Sequence, residues 1–61
     1  MQTKLIIRTE EKCAYLMYDN NLLSTHMFTT FKESPFNKNE ITFFNNDHYI
    51  GRIVSNETVL V

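Results

Sequence analysis

Few residues in this chain have the types and spacing that chemistry requires. Ser24-Thr25-His26 holds a nucleophile and a base. Acyl transfer also needs an orienting carboxylate, oxyanion donors and a water-excluding cleft, and nothing in the sequence supplies them. Cys13 follows Lys12, which could lower a thiol pKa. Its place inside an apolar run points instead to an inert, packed thiol. Cys13, His26, Asp47 and His48 are the soft or imidazole-type ligands with an acidic neighbour, and structural zinc takes four ligands in tight pairs that these spacings do not offer. Asp47-His48 reads as a solvated turn. The sequence thus predicts no enzyme, with no catalytic residue, no metal site and no cofactor.

The elements that carry these residues read as strands. Turn signals, most of them rich in Asn or Asp, punctuate the chain at Glu10-Glu11-Lys12, Asp19-Asn20-Asn21, Ser34–Asn39, Asn45-Asn46-Asp47 and Ser55-Asn56-Glu57. Asn and Asp tolerate left-handed backbone and bond their own main chain, which suits tight turns. With Gly51 the only glycine, asparagine is expected at the positive-φ positions. Between the turns lie strands at about Thr3–Thr9, Cys13–Tyr18, Leu23–Phe31, Glu40–Asn45, His48–Val54 and Thr58–Val61. The expected fold is all-β, a small antiparallel sheet or barrel of five or six short strands. An α+β alternative stays open, because Leu23, Met27 and Phe31 also fall at helical spacing, with a short helix at about 22–33 packed on a sheet. Propensity favours the strand: Thr25, Thr29, Thr30 and two phenylalanines are poor helix material. Gly51, inside the fifth strand, is expected to mark a bulge or a close backbone crossing.

Leu5-Ile6-Ile7, Ala14–Tyr18 and Ile41–Phe44 are apolar on both strand faces, more than a one-layer sheet can hide. Polar neighbours sort the faces. Leu5, Ile7, Leu16, Ile41, Phe43, Tyr49, Ile53 and Val59 form the expected core. Ile6, Phe44 and Ile50 point outward beside Arg8 and Arg52, and these five are the candidate partner-binding residues, since apolar side chains rimmed by arginine suit an interface. Thr58–Val61 is an apolar strand without the Lys or Pro that guards an edge; at an edge it would invite pairing with a second copy, and the alternative is a central place in the sheet.

Length and charge narrow the function classes. A chain of 61 residues is expected to form one domain, residues 1–61, with a thin stability margin. One cysteine excludes an internal disulfide, so a partner is the remaining staple. A net charge of −1 argues against general affinity for phosphate backbones or anionic membranes. No secretory leader or spanning stretch is visible, and a cytoplasmic location is expected. The reading is a small non-catalytic protein-binding module, homodimeric and of the accessory or inhibitor type found in viruses and mobile elements, the last on composition alone. The rival is a β-domain that binds single-stranded nucleic acid. Five phenylalanines and three tyrosines with Lys4, Arg8 and Arg52 are ingredients of a stacking platform, though no segment carries the Gly-aromatic signature of an RNA-recognition motif or cold-shock domain.

Overall fold

The computed structural model describes residues Gln2–Val61 and is all-β. Seven strands make two sheets: β1 (Thr3–Arg8), β2 (Cys13–Tyr18), β3 (Asn21–Met27), β4 (Thr30–Glu33), β5 (Glu40–Asn45), β6 (His48–Val54) and β7 (Glu57–Leu60). The first sheet has the order β3-β2-β1-β7 and the second the order β4-β5-β6. Each sheet begins as an antiparallel meander of three consecutive strands. The chain then returns, and β7 lies parallel to β1.

Turn chemistry fixes the hairpins. Asn46 and Asp47 both have positive φ (51° and 70°), the pattern of a two-residue type I′ turn between β5 and β6. Asp19 (φ 55°) opens the two-residue turn from β2 to β3, and Lys12 (φ 55°) closes the four-residue loop from β1 to β2. The expected asparagine thus holds only one of the four left-handed sites, Asn46, while aspartate holds two and Lys12 the fourth.

Two corners carry the chain between layers. At Phe28-Thr29, the Thr29 amide donates to the Phe44 carbonyl (2.9 Å), and the Asn46 amide donates to Thr29 Oγ1 (2.8 Å). Phe28 closes the core there and is buried. This corner splits the expected strand Leu23–Phe31 into β3 and β4, which belong to different sheets, and it replaces the alternative helix at 22–33. At Ser55-Asn56, the Thr3 amide donates to Asn56 Oδ1 (2.8 Å), and the Asn56 amide donates to Thr3 Oγ1 (3.0 Å). The buried Ser55 hydroxyl donates to the Glu57 carbonyl (2.9 Å), so the corner leaves no buried polar atom bare.

The core lies between the layers. Leu5, Ile7 and Ala14 from the first sheet meet Ile41 and Phe43 from the second, with Leu16, Phe31 and Ile53 packed against them. The expected core loses two members. Tyr49 is 64 % exposed, and Val59 pairs with Ile6 on the outer face of the first sheet. A bulge explains Tyr49: Phe43 pairs with Gly51 and Phe44 with Tyr49, so Ile50 is the extra residue and the alternation flips. The bulge therefore sits beside Gly51. The expected close crossing is absent, since a Cβ built at Gly51 would meet nothing within 4 Å.

Candidate functional site

The candidate sites include two outer faces and a cleft between the sheets. The outer face of the first sheet is built by alternation. Leu5 and Ile7 turn inward, so Lys4, Ile6 and Arg8 turn outward, and their register partners go with them. Val59, Ile6, Tyr15 and Thr25 form one row across all four strands. Met17 and Leu22 flank the row on one side, Cys13 and Met27 on the other. No element of the described chain covers this face. Its rim charges are answered from within: Arg8 pairs with Glu11 (3.0 Å), and Lys4 faces Glu57 (3.9 Å).

Cys13 is buried on this outer side because its neighbours fold over it. Its thiol donates to Tyr15 Oη (3.6 Å) and to Glu11 Oε2 (3.9 Å). The phenol pKa of Tyr15 is raised above its ordinary value near 10, first by the hydrogen bond with Cys13 and then by the charge on that sulfur.

The outer face of the second sheet carries aromatics and cations. Phe44 packs edge-on against Tyr49 (centroids 6.4 Å apart), and Lys32 Nζ lies 5.5 Å above the Phe44 ring. Arg52 pairs with Glu40 (3.4 Å).

The five candidate residues therefore do not share one face. Ile6 and Arg8 lie on the outer side of the first sheet. Phe44 and Arg52 lie on the outer side of the second, across the whole thickness of the molecule. Ile50 is the bulge residue and borders the cleft. Two sheets rather than one account for this: each layer has its own outside. Both arginines are engaged by acids of the same chain.

The cleft, about 350 Å³, runs between the free edges of β3 and β6 and is lined by His26, Met27, Phe43, Ile50 and Ile53. It exists because Gly51 contributes no side chain on the inner face opposite Phe43. Ser24 Oγ and His26 Nε2 are 2.8 Å apart, and the imidazole stacks on Phe43 (6.3 Å, 12°). The ring thus rests on an aromatic rather than on an orienting acid. Asp47 and His48 lie in the exposed β5–β6 hairpin. Among the described residues, no three His, Cys, Asp or Glu side chains gather as a metal site. No helix there is long and apolar enough to cross a membrane.

The sequence left the faces of Tyr15 and Met17 open and placed Val59 in the core, whereas all three complete the face around Ile6. Their signal was present, since Cys13–Tyr18 is apolar at every position, but only the pairing register says which alternate residues lie outside. The sequence reading passed over Phe36, 96 % exposed at the tip of the β4–β5 loop. That loop is ordered by its own hydrogen bonds, Phe36 amide to Ser34 Oγ (3.2 Å) and Asn39 amide to Asn37 Oδ1 (3.0 Å). Compared with protein-family models, curated proteins and solved structures, the chain matches none.

Proposed function

We propose that this protein is a non-catalytic protein-binding module that docks its partner on the outer face of the four-stranded sheet. The observation that carries the reading is the apolar row Val59–Ile6–Tyr15, uncovered by the chain and flanked by Met17, Leu22 and Met27. Apolar and aromatic side chains ringed by polar groups are the composition of an interface centre. The internal ion pairs Lys4–Glu57 and Arg8–Glu11 leave this face without free positive charge, which disfavours a phosphate backbone there. An accessory or inhibitor role in a virus or mobile element fits such a module and adds nothing to the geometry.

The rival reading, single-stranded nucleic acid, belongs to the opposite face, where Tyr49 and Phe44 lie beside Lys32 and Arg52. One pair of variants separates the two. Ile6→Glu is expected to abolish capture of a partner from a native-host extract, while Phe44→Glu retains it, both with wild-type circular dichroism. Capture lost in Phe44→Glu and kept in Ile6→Glu would move the site to the second sheet. Oligonucleotide binding that falls steeply with salt would then replace the protein-binding reading.

A further inference from the structure

Four strands present a free edge: β3 and β7 in the first sheet, β4 and β6 in the second. Natural edges are usually guarded by charge, shortness or distortion. β4 is four residues long with Lys32 and Glu33, β7 is four residues long with Glu57, and β6 carries Arg52 and a bulge. β3 is different. Its sequence Asn-Leu-Leu-Ser-Thr-His-Met spans seven residues without an acid, a lysine, an arginine or a proline. Its bulge lies at the Leu22-Leu23 end, leaving Ser24–Met27 regular. Leu23 (57 %) and Met27 (67 %) are exposed, and the edge borders the open cleft rather than another strand.

We propose that β3 pairs antiparallel with β3 of a second copy, across a two-fold axis at Thr25, joining two four-stranded sheets into one of eight strands. This register sets Thr25 opposite itself, Leu23 opposite the second copy's Met27, and Ser24 opposite its His26. Alternation is respected: Leu23, Thr25 and Met27 lie on the outer side and Ser24 and His26 on the inner, so like meets like. Self-pairing brings no like charges together, because the strand carries no fixed charge.

Self-complementarity favours a second copy as the occupant, because the uncharged strand meets its own copy with like residues on each side. Four strands about 4.8 Å apart and six residues long, at roughly 3.3 Å each, give an outer face of roughly 400 Å². A standard interface takes about 800 Å² from each partner. Pairing through β3 makes the two apolar faces continuous and brings their joint area to that size. This consequence rests on the proposed function; the pairing itself does not.

The test is sedimentation of the full chain with charge variants at Thr25, whose side chain is exposed and outside the core. The wild type is expected at twice the 7.3 kDa chain mass. Thr25→Lys and Thr25→Glu should each weaken the dimer by roughly fivefold or more, most at low salt. Their equimolar mixture should recover it, with the salt dependence reversed. A wild type that stays monomeric at millimolar concentration overturns the proposal. So does a dimer indifferent to both substitutions, or a mixture that does not recover. Thr25→Cys in a Cys13→Ser background gives a readout that needs no charged variant to fold. Oxidation should yield a covalent dimer, since directly opposed strand residues fall within disulfide reach, and failure to cross-link overturns the register. Ile6→Glu should leave the dimer intact, so partner capture retained with an unchanged mass would count against the docking face and not against the pairing.

Discussion

Filling the inter-sheet cleft from Gly51 should stabilise the protein. The glycine lies on the inner side of β6 opposite Phe43, its φ is not positive, and a Cβ there would touch nothing within 4 Å. Nothing in the backbone therefore requires glycine. Gly51→Ala removes conformational freedom from the unfolded chain and should gain roughly 0.4–1 kcal/mol. Gly51→Val adds a β-branched side chain suited to a strand and buries part of it against Phe43 and Ile53, for a total of roughly 1–2 kcal/mol. With an unfolding entropy of about 2.1 cal/mol/K per residue, a chain of 61 residues gains about 8 °C in Tm for each kcal/mol. The valine variant should thus melt roughly 8–16 °C above wild type by circular dichroism, with a matching rise in urea midpoint at unchanged m-value. A Tm that is unchanged or lower would refute the reasoning, because it would mean that the cleft closes in solution or that the β6 edge needs glycine for its bulge.

Three further outcomes follow from single contacts. Ile41 is fully buried between the layers, so Ile41→Ala should cost about 2–5 kcal/mol in urea unfolding, a large share of a total that a domain this size holds at roughly 3–9 kcal/mol. Asp47 holds a left-handed site next to Asn46, and Asp47→Gly should stabilise the hairpin by roughly 0.5–1 kcal/mol in the same assay. Tyr15 should ionise above its ordinary range in an ultraviolet titration, and Cys13→Ala should lower its pKa. A phenol pKa raised by folding contributes stability that is complete below the unfolded value near 10 and is lost as pH rises through the folded one, so the wild type should lose more stability than the Cys13→Ala variant in that alkaline window.

Strand positions were legible because the turns are chemically explicit. The Asn- and Asp-rich breaks bound β2, β5 and β6 at the residues expected, and β1 within one. The corner at Phe28-Thr29 was not legible. Thr25 to Phe31 is continuous strand-forming sequence with no turn residue, and the bend is made by Thr29, whose hydroxyl holds Asn46 and the Phe44 carbonyl from fifteen or more residues away. Such a long-range cause leaves no local mark. The candidate site suffered for the same reason. Once one strand is read as two, a single sheet becomes two layers, and residues assigned to one outer face separate to opposite sides.

That change of layering also revises the apolar surplus from which the binding reading began. Ile41, Phe43 and Ile53, expected in the core, oppose Leu5, Ile7 and Ala14 there, so the surplus is what the two outer faces carry. What remains is unevenly divided. The second sheet exposes aromatics that already engage each other and Lys32, whereas the first exposes Ile6, Val59, Met17 and Leu22, which have no polar handle to satisfy and gain only by leaving water. Residual burial therefore favours association on the first sheet, and it does so for the outer face and for the β3 edge together, since Leu23 and Met27 belong to both. Ile6→Glu acts on the outer face alone, whereas Thr25→Lys lies at the end of its row and on the edge strand and so acts on both surfaces. A partner that bound equally well to the monomeric Thr25→Lys variant would show that one face suffices.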